Sequence, residues 1–296
     1  MSDKQFFVNR YQKLGWNYKQ IKLKQAIRIN TMNAPRNTVV SRLESLGIEL
    51  EKIPFLEDGY WISKSKFSVG ATAEYLLGLY SIQEAAAQIP VTVFSDLTDK
   101  TVLDCCASPG GKTIHLANRM NNSGVIISVE LKQRKMFALT NQLERSRVTN
   151  TAVYNMDAKE VSKMEMQFEC VLLDMPCSGN AITDRDWFNK RTIEDINRNS
   201  QRQRQILAEA TKVTKTDGEI VYATCSLEPE ENEMNIDWAI NKLPLKVDSI
   251  NCFGEKALTD VFGKKLDPSI KRARRIWPDK TQGFFVCKLK KQENKQ

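Results

Sequence analysis

The 296-residue sequence lacks the features that would place it in a membrane or on a secretory route. It has no apolar run of about 18 residues or more, which excludes a conventional transmembrane helix. Its first residues, MSDKQFFVNR, match neither a signal peptide nor a transit peptide. We therefore expect a cytoplasmic protein without a membrane partner.

The sequence is also poor in metal ligands and in nucleotide-binding motifs. His115 is its only histidine and no C-x-x-C pair is present, so a metal site of the usual zinc kind is not expected. A Walker motif would need glycine at position 106, where the chain has Cys106, and this excludes a P-loop NTPase. The fingerprint G-x-G-x-x-G is absent as well, which argues against a dinucleotide-binding enzyme.

Cysteine and charge are plentiful but unevenly arranged. Seven cysteines without a regular spacing favour free thiols in a reducing compartment. The formal net charge of +8 divides into +6 over residues 1–66, −6 over 67–255 and +8 over 256–296. Basic ends favour a nucleic-acid partner, with a merely solvated surface as the alternative. The basic stretch 271–275 is the predicted RNA-contacting surface.

The first part of the chain predicts a small α+β module in a domain covering residues 1–95. Residues 1–22 are typical of one or two short helices, 24–30 and 59–63 of strands, and 38–50 of a helix closed by Gly47.

The second part predicts a doubly wound α/β domain of Rossmann-like form over residues 96–296, because nearly continuous apolar strands alternate with helices. The predicted strands are 100–106, 124–130, 151–155, 170–175 and 219–225, and the predicted helices are 111–120, 131–146, 193–215 and 230–242.

A glycine-rich loop, DCCASPGGKT at 104–113, joins the first of these strands to its helix. Glycines let the backbone approach a ligand, and free N–H groups at a helix start favour its polar end. Glu130, Asp157 and Asp174 follow successive strands, where such folds bind ligands. Each acid alone fits a helix cap or a solvated loop equally well. Together they suit an adenosine with a neutral or cationic tail, which makes S-adenosylmethionine the candidate cofactor.

Two cysteines, Cys177 and Cys225, stand just past the carboxyl ends of separate strands and can face one crevice. A thiol is a good nucleophile at neutral pH, although it also packs as a small hydrophobe. Methylation of cytosine at C5 requires groups of this kind. A thiolate that adds at C6 makes C5 reactive toward a sulfonium methyl. An acid near N3 stabilises the adduct, and a base removes the C5 proton. Asp174 and the two thiols match that inventory, whereas His115 is expected to be structural. The remaining cysteines are expected to be buried packing residues: Cys105, Cys170, Cys252 and Cys287.

The motifs DCCASPGGKT, LLDMPCSGN and YATCSLEPEENE resemble those of the RNA cytosine-C5 methyltransferases of the NOL1/NOP2/Sun family. The likeness extends over about residues 25–290 and includes YSIQEAAAQIP and RIWPDKTQGFFVCKL. Asn180 and the pair Ala86-Ala87 depart from common family residues without removing a group that the chemistry needs.

The resemblance implies a role for each matching position. Cys225 is the nucleophile, Cys177 helps to release the product, and Asp174 lies between cofactor and cytosine, with Lys112 as a further contact to the base. Glu130 holds the ribose, Asp157 lies at the adenine, and Arg134 assists cofactor binding. The loop around the methionine end of the cofactor consists of Cys106, Ala107, Ser108, Pro109, Gly110, Gly111 and Lys112.

Alternatives remain open on the sequence alone. A binding protein that has lost catalysis should lack Cys225, Asp174 or the glycine loop, and all are present. Amine methylation usually shows an Asp/Asn-Pro-Pro-aromatic tetrad where this chain has Asp174-Met-Pro-Cys. DNA is not excluded chemically, but the N-terminal module and the resemblance favour structured RNA. The compact chain favours tRNA, with rRNA as the alternative, and a monomeric enzyme.

Overall fold

The computed structural model describes residues 3–293. Residues 1–2 and 294–296, which belong to the two predicted domains, lie outside the described residues. The boundary between those domains at 95/96 stays a prediction. The first helix, α1 (Asp3–Lys13), packs on the catalytic half of the chain: Phe7 meets the indole of Trp187 edge-on at 4.8 Å.

A four-stranded antiparallel sheet forms the core of the N-terminal module, with the order β2-β3-β1-β4. Its elements are β1 (Ala26–Ile29), α2 (Arg36–Ser45), β2 (Glu49–Lys52), β3 (Gly59–Lys64), α3 (Ala73–Leu76) and β4 (Tyr80–Ile82). The sequence predicted only two of these strands. Val39 and Leu43 of α2 are buried and belong to one apolar cluster with Ile27 and Ile29 of β1.

The helix predicted within 38–50 is closed at Gly47 as expected, and the last residues of that stretch lie outside it. Gly47 has φ +79°, a left-handed conformation that ends the helix, and its N–H donates to the carbonyl of Glu44 at 2.8 Å. Residues 49–52 then pair with β3 as a strand.

Arg28 of β1 fixes the module to the second half of the chain. Its buried guanidinium donates to the carbonyl of Gly111 at 3.1 Å and to the side chain of Gln83 at 3.1 Å. The module is therefore seated at the start of the helix that follows the glycine loop.

The second half contains a large mixed sheet whose parallel part confirms the predicted Rossmann-like fold. Its strands are β5 (Thr101–Cys105), β6 (Val125–Glu130), β7 (Thr151–Asn155), β8 (Phe168–Asp174), β9 (Thr214–Thr224), β10 (Leu245–Asp248), β11 (Glu255–Lys256), β14 (Arg274–Ile276) and β15 (Phe284–Lys291). The parallel strands lie in the order β9-β8-β5-β6-β7, and β15 joins β9 antiparallel. A separate hairpin consists of β12 (Asp260–Val261) and β13 (Lys264–Lys265).

Helices cover the sheet: α4 (Ile89–Thr92), α5 (Gly111–Met120), α6 (Gln133–Arg145), α7 (Trp187–Lys190), α8 (Ile193–Val213) and α9 (Glu233–Lys242). Successive residues of a strand enter different apolar cores, as Val102 and Leu103 do in β5. This burial on two faces explains the continuous apolar strands. The chain passes directly from Val213 into β9, so the predicted helix 193–215 ends two residues early.

Two predictions about individual residues need correction. Arg275 is 1% exposed and pairs with the buried carboxylate of Glu233, so it cannot belong to an RNA-contacting surface. Cys252 is partly exposed, whereas Cys105, Cys170 and Cys287 are buried as expected.

In the part of the chain that the structure describes, no helix combines the length and apolar composition that crossing a membrane requires. Among residues 3–293, no group of His, Cys, Asp or Glu side chains is arranged to hold a metal ion.

Candidate active site

The carboxyl ends of β5, β8 and β9 bring three loops to one edge of the sheet. The first carries the glycines, the second carries Cys177 and the third carries Cys225. The crevice beside β5, where the strand order reverses, is the usual ligand site of such folds.

The glycine loop turns sharply between β5 and α5. Cys106 has φ +64° and Gly110 has φ +106°, and the N–H of Gly110 donates to the carbonyl of Ala107 at 2.8 Å. A side chain at position 110 would be strained, and its Cβ would lie 3.0 Å from Leu139. Glycine therefore keeps this turn tight against α6.

An open cleft of about 260 Å³ lies beside the loop, at the ends of β6 and β8. Predicted residues that line it are Cys106, Ser108, Glu130, Asp157 and Asp174. An adjoining cavity of about 170 Å³ shares Cys106, Ser108 and Asp174 with it and is also lined by Ala107, Pro109, Gly111 and Lys112. Most of the predicted cofactor residues are thus brought together.

Two carboxylates in the cleft have defined partners. Glu130 is 6% exposed and accepts the N–H of Lys132 at 2.8 Å through one oxygen. Asp157 caps the short helix that follows it, accepting the N–H of Lys159 at 3.0 Å. The helix-cap alternative for Asp157 is thus present in the structure, alongside its place in the cleft wall.

Arg134 lies on the exposed face of α6 and does not line either cavity. Lys132, Lys135 and Arg202 line the first cleft instead. Sequence reasoning missed Arg202 because it lies in the long helix α8, far along the chain from the glycine loop.

The two cysteine sulfurs lie 3.2 Å apart, and both thiols are free. The loop after Cys225 is held by Asn180, whose amide donates to the carbonyl of Cys225 at 2.8 Å. Both cysteines are half-buried, and Cys225 also packs against one of the apolar core clusters.

A charged pair faces the cysteines. Lys112 Nζ lies 2.6 Å from Asp174 Oδ2, and the Lys112 ammonium sits 5.7 Å from the ring centre of Phe284. The Asp174 side chain keeps a third of its surface exposed, while that of Lys112 keeps 12%. The Lys112 N–H is therefore held in a charge-assisted hydrogen bond to Asp174, the more exposed partner of the pair.

The surroundings of the two thiols differ. The hydrogen bond from Cys177 is the main cause that lowers the pKa of Cys225 from the ordinary 9.0, and Lys112 acts in the same direction against burial and Asp174. The same hydrogen bond, together with burial and the charge of Glu231, raises the pKa of Cys177 well above 9.0. Of the two, Cys225 is therefore the thiol that loses its proton more readily.

Glu231 anchors the two cysteine loops and was not singled out from the sequence. It is buried and accepts the backbone N–H of Ser178 at 3.0 Å, the Ser178 hydroxyl at 2.5 Å and the amide of Gln203 at 3.1 Å. The available signal was the acidic run EPEEN directly after Cys225. The sequence instead predicted a helix from residue 230, whereas α9 begins only at Glu233.

These pKa directions predict how the thiols react with iodoacetamide. Alkylation of Cys225 should reach half its maximal rate at a pH below 9.0, because a lowered pKa supplies thiolate at lower pH. Cys177→Ala removes the donor and should move that midpoint upward, while Cys177→Ser, which keeps a donor, should move it less. The measurement is alkylation rate against pH, resolved by mass spectrometry of peptides. Cys252, whose pKa burial raises to about 11, is the internal control. An unchanged midpoint in Cys177→Ala would contradict the assignment.

The fold and the site together define a class of protein. A parallel sheet closed by an antiparallel strand, a glycine loop at the first helix and acids at the strand ends are the arrangement of a Rossmann-like methyltransferase.

The chain belongs to the family described as 16S rRNA methyltransferase RsmB/F, whose model matches residues 91–290. The model described as the N-terminal domain of 16S rRNA methyltransferase RsmF matches residues 4–85. The resemblance that the motifs carry is thereby confirmed.

Individual relatives agree with this family assignment. The chain is 31% identical to a tRNA (cytosine(49)-C(5))-methyltransferase of Pyrococcus abyssi, covering 96% of this chain and 95% of that protein. It is 32% identical to the 28S rRNA (cytosine-C(5))-methyltransferase of Mus musculus, covering 90% of this chain but 35% of that protein. A crystal structure of a methyltransferase homologue from Pyrococcus horikoshii matches with a TM-score of 0.85 at 31% identity, over 97% and 99% of the two chains. The chain thus spans about a third of the length of its mammalian rRNA relative.

Proposed function

We propose that the chain is an S-adenosylmethionine-dependent RNA methyltransferase that makes 5-methylcytosine through a transient bond between Cys225 and C6 of the base. The observation that carries the proposal is the 3.2 Å approach of two thiols from separate strand ends, one favouring thiolate and the other thiol. Relatives named as cytosine-C5 methyltransferases support the same reaction.

The residues of the cleft fit S-adenosylmethionine. One Glu130 oxygen is engaged by Lys132, which leaves the other for ribose hydroxyls. Met156 and Ile206 give apolar sides for the adenine near Asp157, and the loop 106–112 borders the cavity for the methionine end. When bound, this cofactor supplies a methyl group on a positively charged sulfur. Arg134 as a helper in cofactor binding stays a prediction.

In the first step, the Cys225 thiolate attacks C6 of the cytosine. The S–C6 bond forms, and the electron pair of the C5–C6 double bond shifts into the ring toward N3. The Lys112 ammonium donates to the Asp174 carboxylate at 2.6 Å. We assign Asp174 to N3: as negative charge develops there, a proton passes from Lys112 through Asp174 to N3. The positive charge of Lys112 also stabilises the thiolate before attack.

In the last step, the C5 proton leaves and the C6–S bond breaks, with its electron pair returning to Cys225. We assign removal of that proton to Cys177. The largest cause of the raised Cys177 pKa is its hydrogen bond with Cys225. Formation of the adduct removes the thiolate partner, so Cys177 can lose its own proton to solvent and become the base that accepts the C5 proton.

Transfer RNA is the favoured substrate and ribosomal RNA the alternative. The chain covers 95% of the length of the archaeal relative named for tRNA, but 35% to 58% of the rRNA relatives from mouse and Aeromonas hydrophila. A monomeric state and a cytoplasmic location stay predictions.

Bisulfite sequencing of total RNA tests the proposal. Cells that carry the gene should show at least one protected cytosine, in tRNA, that becomes unprotected when the gene is deleted. Complementation with wild type should restore protection, and complementation with Cys225→Ala should not. A protected cytosine that depends on the gene but lies in rRNA, with none in tRNA, would identify rRNA as the substrate. An RNA methylation pattern indifferent to the gene would contradict the function.

A further inference from the structure

An aromatic pocket lies outside the two cavities of the cleft, where the N-terminal module meets the last segment of the chain. It encloses about 470 Å³, and its aromatic walls are Phe55, Trp61, Phe253 and Trp277. The rings of Phe55 and Phe253 stack at 4.1 Å with an angle of 10° between them. Because Phe253 is 44% exposed and held flat on a second ring, it offers a preformed face to a planar ligand.

The pocket also contains an unused hydrogen-bond donor. Trp61 is 3% exposed, and its indole N–H has no acceptor among residues 3–293. Leaving a buried donor unpaired destabilises the protein by about 1–3 kcal/mol.

The positive charges near the pocket favour a ligand that is part of a negatively charged polymer such as a nucleic acid. Lys24 Nζ lies 5.7 Å from the centre of the Trp61 ring, and Lys280 lines the pocket. Both belong to the basic end regions of the chain. Glu51 and Asp279 also line the pocket, and they pair with Lys24 and Lys19 respectively.

A short stretch of chain links the pocket to the surroundings of the cysteine site. Thr281 lines the pocket, and Phe284, three residues later, lies under the Lys112 ammonium. Between them, the carbonyl of Gly283 accepts from the same Asn180 amide that holds Cys225. Three residues extend at most about 11 Å, which bounds the distance along the backbone between Thr281 and Phe284.

We propose that this aromatic pocket binds a second base of the RNA, one or two nucleotides from the target cytosine, stacked on Phe253. The identity of the ligand rests on the proposed function. A target base must leave its stack to enter a catalytic pocket, and its neighbours lose stacking partners. A stacking site for one neighbour offsets part of that loss and fixes the strand beside Cys225.

A binding cycle tests the pocket. The RNA is the fragment that the bisulfite experiment identifies, or a tRNA transcript if none is found, with single abasic nucleotides at each of the two positions on either side of the cytosine. With the wild-type protein, an abasic nucleotide at one of these positions should raise the Kd about tenfold. Phe253→Ala should raise the Kd for intact RNA by a similar factor, and in this variant the same abasic nucleotide should have no further effect.

The matched control is Phe137→Ala, because Phe137 is 71% exposed on α6 and lines neither the pocket nor the cleft. It should leave both Kd values unchanged. The proposal is overturned if an abasic nucleotide raises the Kd of Phe253→Ala as much as it raises the Kd of wild type. It is also overturned if neither the abasic nucleotides nor Phe253→Ala affects the Kd. A pocket that serves a protein partner or a free small molecule gives that second outcome. Since the Kd is measured without methyl transfer, its result is separate from the success of the proposed reaction.

Discussion

Replacing Cys225 by alanine should abolish methyl transfer, with a loss of at least ~10⁴-fold in the single-turnover rate. The reason is chemical: C5 of cytosine is a poor nucleophile until a sulfur is bonded to C6. Cys177 does not take this place, because its hydrogen bond with Cys225 and its burial raise its pKa well above 9.0. The rate is followed as radiolabelled methyl groups incorporated into RNA at saturating enzyme.

The matched control for this loss is Cys252→Ala, which removes another partly exposed thiol outside the cleft and should keep the wild-type rate. Retention of full activity in Cys225→Ala would remove the nucleophile from the mechanism. A comparable loss in Cys252→Ala would instead indicate a general effect of losing a thiol.

Replacing Cys177 by alanine should also give little product, but here a covalent complex between protein and RNA should accumulate, which Cys225→Ala cannot form. The attack by Cys225 remains possible, while removal of the C5 proton is slowed. The complex should migrate as a shifted band on a denaturing gel and should account for most of the enzyme under single-turnover conditions.

The double variant Cys177→Ala, Cys225→Ala separates this adduct from nonspecific crosslinks, since it should give no band. An unshifted Cys177→Ala protein with normal turnover would mean that Cys177 has no part in release. A band in the double variant would mean that another group bonds to the RNA.

Much of the site could be predicted because its chemistry lies at strand ends. Continuous apolar strands give the sheet, and the first polar residues after each strand then share one edge. That argument predicted Glu130, Asp174 and the two cysteines at one edge; in the structure Glu130 and Asp174 line one cleft, and the two sulfurs lie 3.2 Å apart. The identity of the attacking cysteine did not follow from this pattern and came from the family resemblance.

What failed to be predicted depends on contacts between distant parts of the chain. Glu231 looks like an exposed helix residue until Ser178 and Gln203 are brought to it from other elements. Arg275 lies in a basic run that is typical of a surface, yet the buried carboxylate of Glu233 draws it inside. The strand β2 was missed because three of its four residues are charged and its burial is slight.

The asymmetry of the thiols is likewise a property of the folded chain. The charge of Glu231 raises the pKa of both thiols, whereas Lys112 lowers the pKa of Cys225. Lys112 is far from Cys225 in sequence, so the direction of proton sharing required the structure.

The most direct measurement uses wild-type enzyme, with both cysteines present, and RNA that carries 5-fluorocytosine at the target position. Fluorine at C5 cannot leave as a proton does, so the covalent intermediate is retained. After digestion, mass spectrometry should find the nucleotide on the peptide that contains Cys225, with the peptide of Cys177 unmodified. A nucleotide attached to Cys177 would contradict the central claim.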